Sequence, residues 1–434
     1  MSRIVRIHEY GDASVLRIED VAVPAPAADE VQIAVKAIGI NRAEVMFRNH
    51  AYLQEAEFPS RLGYEAAGTV VTVGADVTGF AEGEVVSVIP PLDIARWGTY
   101  GEVANVPARL VVKHPATLSF EEAAAVWMQY VTAWGALVEQ AKLGECDFVI
   151  VTAASSSVGL AAFQIARMVG ATVIATTRTG AKRQALIDAG AHHVVATGEE
   201  DLVARVMEIT DGQGARVVLD PVGGPSFEPL TESMARGGIL LQYGALSGEP
   251  TPFPLFSVLG KSLTLKGYLY SEIVSDDAAL DRAKAFIVAG LESGALKPRI
   301  ARTFPLDAIQ DAHRFLESND QIGKVVVTYA SAISRENAMP HSSEDKKRAI
   351  TRLRRIKGQA DALERAIEAG ADCAPLLQQI VAMRGATNGL MAEVMQSHLR
   401  ETFGAGADRA VGGTGGDHDD GVEGVMKILR TYLK

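Results

Sequence analysis

The chain has 434 residues, of which 48% are hydrophobic and 22% charged, so it is long enough for two or three domains with substantial cores. Its net charge of −11 argues against a uniformly nucleic-acid-binding surface, and its two cysteines, Cys146 and Cys373, exclude a disulfide framework and a structural zinc lobe built from cysteines. No apolar run approaches the length of a membrane span, and we expect a cytoplasmic protein.

The first 118 residues are dominated by short β-forming runs separated by turns. These runs lie at residues 31–35, 68–73, 84–89 and 110–112. The pattern is typical of an all-β region. Directly after it, residues 119–141 are predicted to form a helix whose first turn carries Glu121 and Glu122, where the helix dipole favours acids.

The next segment has the pattern of a βαβ unit. Short apolar runs at residues 148–151 and 171–175 predict two buried parallel strands, and the helical repeat between them ends at Gly170. The N-terminus of that helix would direct free N–H groups at the preceding turn, which suits a pyrophosphate. Of the dinucleotide glycine fingerprint the turn keeps only Gly159, so the fingerprint alone is weak. The other candidate cofactor-binding residues of this turn are Ser155, Ser156 and Val158.

The residues that follow the second strand indicate which dinucleotide would bind. An NAD site usually has an Asp or Glu there, because a carboxylate binds the ribose hydroxyls. This chain has Thr177, Arg178 and Lys182 instead, and no acid before Asp188. A guanidinium pairs with a 2′-phosphate that a carboxylate would repel, so we predict NADP(H) as the cofactor. The alternative is that Arg178 and Lys182 are solvated surface charges.

Strands and helices continue to alternate after this unit. A helix is predicted at residues 278–294, and strands at residues 217–219, 238–243, 262–267 and 323–328. This alternation predicts an α/β fold with a doubly wound parallel sheet, in which ligands bind at the carboxyl ends of the strands.

Six motifs occur in order along the first three quarters of the chain: Gly39-Ile40-Asn41-Arg42, Gly63-Tyr64-Glu65-x-x-Gly68-x-Val70, Gly98-x-Tyr100-Gly101-Glu102, Ala153 to Gly159, Gly244 to Gly248 and Ile322-Gly323-Lys324-Val325. Together they resemble the medium-chain dehydrogenase/reductase superfamily, in its zinc-free quinone-oxidoreductase branch. The resemblance implies a GroES-like β-domain at residues 1–118, completed by residues 290–329, and a Rossmann domain that binds NADP at residues 119–289.

The resemblance also bears on metal chemistry. Zinc-bearing members of the superfamily have Cys where this chain has Asn41 and His where it has Tyr64. With too few donors for a catalytic zinc, we expect no metal and a direct hydride transfer. Quinones and α,β-unsaturated carbonyls suit such a transfer, since their conjugated systems are already polarised.

The resemblance implies a set of active-site residues. It places Asn41 beside the nicotinamide, and it makes Tyr52 and Tyr64 candidates to hydrogen-bond the acceptor oxygen or to donate a proton. Thr132 and the turn Gly244-Ala245 would line the cofactor. The alternative for Asn41 is a turn residue that bonds its own backbone, and for the two tyrosines it is packing in the cleft wall.

Two further residues near these motifs are expected to be structural. Glu65 has no metal partner to act on, so we expect a buried structural acid. Cys146 directly precedes the first Rossmann strand, and we expect an inert residue of the core.

The composition changes after residue 329. Residues 330–343 form a linker of small residues, and residues 344–434 are predicted to form an all-α three-helix module. The predicted helices lie at residues 345–369, 375–403 and 425–433. Helices of this number and length bury little surface in a single chain, so we expect an oligomer.

The tail carries its own motifs: Lys346-Lys347-Arg348, Thr351-Arg352-Leu353-Arg354-Arg355-Ile356-x-Gly358-Gln359, Gln378-Gln379-Ile380, Arg384-Gly385-Ala386, Asn388-Gly389-Leu390-Met391 and Tyr432-Leu433-Lys434. With Cys373 and His398 they resemble the small all-α repressors related to copper-sensitive operon repressors, in their formaldehyde-responsive branch. The resemblance implies dimers, paired into tetramers, that bind operator DNA and release it when a ligand binds.

The basic run of the tail is the expected DNA-binding surface. Residues 346–357 contain seven basic residues and no acid. A run of this charge suits binding to phosphates, although any single cation in it could belong to a solvated helix face. The predicted DNA-binding residues are Lys347, Arg352, Arg355 and Lys357.

The predicted sensor residues are Cys373, His398, Pro340 and His341. Cys373 and His398 are 25 residues apart, about 37 Å along one helix, so they would meet only between antiparallel neighbours. A thiolate at a helix N-terminus is nucleophilic and suits an aldehyde. Thr402 stands where metal-sensing relatives have a further ligand, so we expect no metal sensing, with a Cys/His site that includes His341 as the alternative.

Pro340 departs from the family pattern. In the formaldehyde-responsive branch the proline after the initiator Met supplies a free amine, whereas the nitrogen of Pro340 is an internal amide. Either the sensor works differently, or a second product starts at Met339. Mass spectrometry of the natively expressed product would reveal a short form that begins at Pro340.

The sequence therefore predicts a bifunctional fusion. One part is an NADPH-dependent, zinc-independent reductase of quinones or reactive carbonyls, and the other is an aldehyde-responsive repressor that binds operator DNA. Two alternatives stay open: a regulator whose Rossmann domain senses NADPH without turnover, and a reductase whose tail only oligomerises. The expected partners are a small quinone or carbonyl, operator DNA and further copies of the chain in a dimer or tetramer, with no membrane.

Overall fold

The computed structural model describes residues 1–329 and 343–404, with side chains over residues 1–329 and 350–390. The chain divides into two compact units, Met1–Tyr329 and Ala330–Lys434. In the described residues, every helix is too short or too polar to cross a membrane.

The first unit contains all the strands of the described residues. These are β1 (Ser2–Ile7), β2 (Arg17–Val21), β3 (Glu30–Ile40), β4 (Ser60–Arg61), β5 (Glu65–Val73), β6 (Val85–Val88), β7 (Val103–Pro107), β8 (Val111–Lys113), β9 (Phe148–Val151), β10 (Thr172–Thr177), β11 (His193–Ala196), β12 (Ala215–Asp220), β13 (Met234–Gln242), β14 (Thr264–Gly267), β15 (Ile300–Pro305) and β16 (Lys324–Thr328).

The helices of the first unit connect these strands. They are α1 (Arg42–Arg48), α2 (Phe120–Ala123), α3 (Trp127–Trp134), α4 (Ser157–Met168), α5 (Arg183–Asp188), α6 (Leu202–Ile209), α7 (Phe227–Glu232), α8 (Leu255–Lys261), α9 (Ser271–Val274), α10 (Asp277–Glu292) and α11 (Ile309–Glu317).

The first lobe of this unit is organised around β3. Its main sheet has the order β15-β16-β3-β5-β6-β8, with β7 also paired to β3, and β1 lies in a smaller sheet between β2 and β4. Strand β16 pairs antiparallel with β3 and sets Val325 opposite Ile40, so the end of the unit returns to the first sheet. Asn41, which follows β3, and Lys324, which opens β16, therefore lie at the same end of neighbouring strands.

The second lobe is a parallel sheet of order β11-β10-β9-β12-β13-β14. Residues 149–151 of β9 and 173–175 of β10 are buried, because helices cover both faces of the sheet. The chain adds strands on one side of β9 as far as β11 and then continues on the other side with β12. At such a switch point a crevice opens at the carboxyl ends of the central strands. The α/β fold with a doubly wound parallel sheet, predicted from the sequence, is confirmed.

The segment predicted as one helix at residues 119–141 is divided in the structure. Ser119 caps α2 in a capping box with Glu122, and α3 follows as a separate, wholly buried helix. A π-helical turn, Gly135–Gln140, extends α3. A Cβ on Gly135 would lie 2.1 Å from the hydroxyl of Tyr268, so this wider turn packs too closely for a side chain.

The second unit contains two long helices, α12 (Ser343–Glu368) and α13 (Cys373–Gly404), which pack against each other. Gly370 in the connection has a φ of +69°, a conformation that glycine adopts readily after a helix. The helices begin two residues before the predicted starts at residues 345 and 375. The predicted third helix at residues 425–433 and most of the linker lie outside the described residues.

Candidate active site

The turn between β9 and α4 has the geometry of a phosphate-binding turn. The Ser156 hydroxyl accepts a hydrogen bond from the N–H of Gly159 at 3.1 Å and caps α4. A Cβ on Gly159 would lie 2.6 Å from the carbonyl oxygen of Ala154, which explains why this position needs glycine. Ala153 adopts a φ of +45°, so a non-glycine residue takes the left-handed conformation in this turn. Ser155 and Val158 are half-buried beside it.

The cations after β10 have different environments. Thr177 is half-buried and Arg178 is exposed, and within residues 1–329 no acidic side chain pairs with Arg178. Lys182 donates hydrogen bonds to the Ser155 hydroxyl at 3.2 Å and to the carbonyl oxygen of Asn319 at 2.8 Å. Burial lowers the pKa of Lys182. Arg178 is therefore open to a ligand, whereas Lys182 joins the phosphate-binding turn to the loop before β16.

One acid beside these cations, Glu199, could not be predicted from the sequence pattern. Glu199 follows β11, and its carboxylate accepts a hydrogen bond from the N–H of Gly180 at 2.9 Å. It orders the turn after β10 from a neighbouring strand. Only the pairing of β10 with β11 brings this residue close, so spacing along the chain could not reveal it.

The carboxyl ends of β12 and β13 complete the crevice. The buried carboxylate of Asp220 accepts hydrogen bonds from the N–H of Gly223 at 2.8 Å and from the Thr152 hydroxyl. A Cβ on Gly244 would lie 2.9 Å from the carbonyl oxygen of Pro221, so the turn that includes Gly244 and Ala245 packs directly on the turn after β12. The crevice is thus formed by backbone turns held close together.

Thr132 lies on α3 and is 5% exposed. Its hydroxyl donates a hydrogen bond to the carbonyl oxygen of Met128 at 2.6 Å, within its own helix. The lone pairs of this hydroxyl are the part of the side chain that a ligand could still engage.

Asn41 caps α1 and is the centre of a buried polar cluster. The Asn41 amide nitrogen lies 3.2 Å from Glu65 Oε1 and 3.3 Å from Glu44 Oε1, and the Asn41 side-chain oxygen accepts a hydrogen bond from Lys324 Nζ at 2.5 Å. Glu65 also forms a buried ion pair with Lys324 and accepts a hydrogen bond from the N–H of Met128 at 3.0 Å. Both ends of the Asn41 amide are therefore engaged within the protein.

Glu44 is the second acid of this cluster and is fully buried. Its carboxylate accepts hydrogen bonds from the N–H groups of Asn41 and Tyr64. Burial raises the pKa of Glu44 to about 7, although the Lys324 charge and the hydrogen bonds oppose the rise. Glu44 and Lys324 are residues that sequence reasoning did not assign to the site, because their contacts depend on the register of β3, β5 and β16.

Three tyrosines stand beside the cluster. The ring centroids of Tyr52 and Tyr64 lie 6.4 Å apart, and those of Tyr64 and Tyr270 lie 5.7 Å apart. Burial raises the pKa of Tyr64 well above its ordinary value and raises the pKa of Tyr52, so both hydroxyls stay protonated. Tyr270 comes from the second lobe, and its hydroxyl donates to the carbonyl oxygen of Pro91 at 2.8 Å. Sequence reasoning missed Tyr270 because it lies far from the motifs of the first lobe.

The other predicted residues are placed as follows. Cys373 is exposed and is the first residue of α13, which also contains His398. Lys347, Arg352, Arg355 and Lys357 lie on α12, whereas Pro340 and His341 lie outside the described residues. In the part of the chain that the structure describes, no three His, Cys, Asp or Glu side chains are close enough together to hold a metal ion.

The expectation for Cys146 is wrong. The side chain is exposed, and the residue adopts a φ of +69° in the turn before β9. The apolar strand that follows begins only at Phe148, so Cys146 precedes the core and is not part of it.

Family models match three parts of the chain. Residues 27–116 match the alcohol dehydrogenase GroES-like domain, residues 157–284 match the zinc-binding dehydrogenase family, and residues 345–431 match the metal-sensitive transcriptional repressor family. The first two matches fall on the two lobes of the first unit, and the third covers the helical tail.

Whole relatives match the first unit. Quinone oxidoreductase 1 of Escherichia coli is 33% identical over 326 residues, which cover 73% of this chain and 97% of the relative. A 2-haloacrylate reductase of a Burkholderia species is 30% identical over 329 residues, or 74% and 97% of the two chains. The crystal structure of the E. coli quinone oxidoreductase complexed with NADPH has a TM-score of 0.69 at 32% identity and covers 75% of this chain and 99% of its own. The chain therefore belongs to the quinone oxidoreductase family and carries a domain of the metal-sensitive transcriptional repressor family at its C-terminal end.

Proposed function

We propose that the first unit is an NADPH-dependent, zinc-independent reductase of quinones or α,β-unsaturated and other reactive carbonyls, fused to an aldehyde-responsive DNA-binding repressor. The observation that carries the reductase proposal is the crevice at the carboxyl end of β9. There the N-terminus of α4 faces a close-packed turn, and the exposed Arg178 stands at the end of the neighbouring strand β10.

The residues of the crevice fit NADPH. The N–H groups at the start of α4 suit the pyrophosphate, because Gly159 brings the backbone close to the turn. The guanidinium of Arg178 suits the 2′-phosphate, because β10 itself carries no acid at its end and the carboxylate of Glu199 beside this turn is engaged by the N–H of Gly180. A quinone oxidoreductase relative of known structure was crystallised with NADPH.

The cluster around Asn41 does not fit a catalytic zinc ion. An amide and a phenol stand at positions 41 and 64, and the ammonium of Lys324 lies against the Asn41 oxygen and Glu65. A zinc ion needs thiolate, imidazole or carboxylate donors, and a neighbouring ammonium would repel it. We derive no step through a metal.

The tyrosines beside Asn41 have two roles in the proposed reaction. When bound, the dihydronicotinamide supplies a hydride. The tyrosine rings form an apolar wall that excludes water and holds a flat acceptor, as Tyr64 and Tyr270 are both buried. The hydroxyls of Tyr52 and Tyr64 can donate a hydrogen bond to the acceptor oxygen as it gains negative charge, because both remain protonated.

The cofactor proposal is tested by steady-state kinetics with NADPH and with NADH on a panel of quinones and enones. In Arg178→Ala we expect the KM for NADPH to rise by about 10- to 100-fold, the size expected when a charge-assisted hydrogen bond is removed, with the NADH reaction unchanged. Arg167→Ala, at the far end of α4, is the matched control and should behave as wild type. A preference of the wild type for NADH, or no turnover with any acceptor, would overturn the reductase proposal.

For the tail we propose operator binding through α12. Arg355 and Lys357 are exposed on this helix, and they lie in the run of seven basic residues without an acid. The plot of log affinity against log salt has a negative slope, and each phosphate contact that is lost should make this slope shallower by about 0.9. Arg355→Ala combined with Lys357→Ala should therefore weaken binding to DNA from upstream of its own gene and reduce this slope by about two, whereas Arg365→Ala should change neither.

We further propose that Cys373 senses the aldehyde, with His398 of a second copy. The thiol is exposed, and the continuous helix α13 keeps the two residues of one chain apart. Formaldehyde should release the DNA from wild type and from Cys146→Ser, the control for the second exposed thiol, but not from Cys373→Ser. DNA release that is the same in both variants would contradict the sensor, and no DNA binding at all would favour a tail that only oligomerises.

The expected assembly has a candidate surface in the first unit. Phe253, Phe256 and Leu259 on and beside α8 are 65%, 86% and 66% exposed, and in the described residues β14 pairs on one side only. An apolar patch beside an open strand edge suits a second copy of the same chain. Light scattering should show a smaller assembly for Phe256→Asp than for wild type.

A further inference from the structure

Lys324 is a buried cation that the proposed reaction does not use directly. Its side chain is 1% exposed, and its Nζ contacts the carboxylate of Glu65 and the side-chain oxygen of Asn41. An ammonium loses strong hydration when it is buried, so such a residue persists only where its partners compensate. The three residues come from β16, β5 and the end of β3, which are adjacent strands of one sheet.

The backbone is shaped around this cation. A Cβ on Gly39 would lie 2.7 Å from Lys324 Cε and 2.7 Å from Glu65 Oε1. It would also lie 2.2 Å from the carbonyl oxygen of Ala124, so no side chain fits there. The glycine in β3 thus leaves the space through which Lys324 and Glu65 reach each other beside Asn41.

The ion pair favours one orientation of the Asn41 amide, whose nitrogen also donates to the carbonyl oxygen of Gly39 and to Glu44, both at 3.3 Å. An ammonium only donates hydrogen bonds and an ionised carboxylate only accepts them. Lys324 Nζ lies 2.5 Å from the Asn41 amide oxygen, and Glu65 Oε1 lies 3.2 Å from the amide nitrogen. If the amide were reversed, its NH₂ group would face the ammonium and its oxygen would face the carboxylate, and neither pair can form a hydrogen bond. Asn41 occupies the N-cap position of α1 and also contacts Glu44 in the first turn, so the cluster reaches the start of this helix.

We propose that Lys324 is a positioning residue for hydride transfer, which it serves by holding Asn41 and the start of α1 in a single arrangement. This inference rests on the proposed function, because Asn41 lies beside the nicotinamide only if the first unit is the proposed reductase. Lys324 does not touch the reacting atoms. Its effect reaches them through Asn41, and it should appear in kcat and leave the binding of NADPH unchanged.

The test compares Lys324→Met with the double variant Lys324→Met/Glu65→Gln. The single variant leaves a buried carboxylate without its cation, so its melting temperature should fall. The double variant removes both charges, so its melting temperature should return toward wild type. In both variants we expect kcat to stay at least 10-fold below wild type, with the Kd for NADPH within twofold of wild type. A double variant that regains kcat together with stability would show a structural role only and would overturn the inference.

A second readout does not depend on turnover. Hydrogen exchange of the cofactor-free double variant should be faster at the start of α1 than in wild type and unchanged in the second lobe. Unchanged protection at α1 would overturn the inference even if the wild type proved inactive. The control is Arg216→Met/Asp147→Asn, which removes an ion pair at the amino ends of the central strands β9 and β12 and should alter neither kcat nor the exchange of α1. No turnover by the wild type would count against the proposed function and would leave the exchange result to decide on Lys324.

Discussion

The two units of the chain differ in how far their large apolar side chains are buried. In the first unit large residues such as Trp127 and Phe163 are fully buried, and even Lys324 and Glu65 are buried as a pair. In the helical tail Leu353, Ile367 and other apolar residues are more than half exposed. The first unit thus forms a large core within one chain, whereas the described tail helices leave apolar side chains exposed, as expected for the surface that the proposed second copy would cover.

Glycine has a different role in each unit for the same reason. In a packed interior a glycine marks a place where two groups approach too closely for a side chain, but in an exposed helix it only adds conformational freedom to the unfolded chain. The same change from glycine to alanine should therefore have opposite effects at a packed position of the first unit and at an exposed helix position of the tail.

The largest effect is expected for Gly39→Ala in the first unit. The added methyl group would meet the Ala124 carbonyl oxygen and the Lys324–Glu65 pair, so either β3 or the ion pair must shift. We expect the free energy of unfolding to fall by at least about 3 kcal/mol, at the upper end of overpacking effects. Urea unfolding measures this change. Gly260→Ala on α8 is the control, and it should lose no stability, because its methyl group meets nothing within 4 Å and alanine is favoured over glycine in a helix.

The next largest effect is a pH dependence of the free energy of unfolding, caused by the buried ionisable groups Glu44 and His313 of the first unit. Burial raises the pKa of Glu44 from 4.5 to about 7, so between these values the folded state keeps a proton that the unfolded state releases. Stability from Glu44 therefore falls as the pH rises from 4.5 to 7, by about 3 kcal/mol. Burial lowers the pKa of His313 from 6.5 to about 3, so its contribution to stability is lost as the pH falls through this range.

Between pH 4.5 and 6.5 the contributions of Glu44 and His313 to the free energy of unfolding change with pH in opposite directions. A variant that removes one of these groups should therefore show the pH dependence caused by the other. Between pH 4.5 and 6.5 the stability of Glu44→Gln should rise by about 2 kcal/mol relative to wild type, and the stability of His313→Phe should fall by about 2 kcal/mol relative to wild type. Urea unfolding at pH 4.5, 5.5 and 6.5 provides the measurement. Parallel curves for all three proteins would mean that neither group titrates as inferred.

Local pattern was sufficient to predict the elements that carry the cofactor crevice. The strand at residues 148–151 has the predicted bounds, and the doubly wound sheet follows from the alternation of strands and helices. Strand β11 was missed, although its apolar run Val194-Val195-Ala196 is as long as the run at residues 217–219 that was predicted as a strand. Such a strand is stabilised by its pairing with β10, which local sequence does not encode.

The candidate site was less predictable than the fold. The resemblance supplied Asn41 and Tyr64, but Glu44, Lys324 and Tyr270 meet them through strand register and through the approach of the second lobe. Lys182 was expected beside Arg178, and its ammonium bonds carbonyl oxygens of the loop before β16. Long side chains at a correctly predicted position can still point to partners that only the tertiary structure brings close.

A smaller effect of opposite sign is expected for Gly358→Ala in the tail. Gly358 lies within α12, and a Cβ there would meet nothing within 4 Å. Alanine should stabilise the helix by about 1 kcal/mol, the difference between the two residues in a helix interior. Thermal unfolding followed at 222 nm should show a higher midpoint for the tail. A lower midpoint would indicate that a second copy packs on this glycine.

The smallest effect is expected for removal of the tail. Every residue of the crevice and of the cluster around Asn41 lies within residues 1–329, and the N–H of Tyr329 bonds the carbonyl oxygen of Lys36 at 2.9 Å and so closes the first sheet. A chain that ends at Tyr329 should keep its kcat/KM for NADPH within twofold of the full chain, because it retains every core residue of the first unit. A drop in kcat/KM of more than 10-fold would mean that the tail, or the assembly it forms, contributes to catalysis. The first unit would then not be self-sufficient.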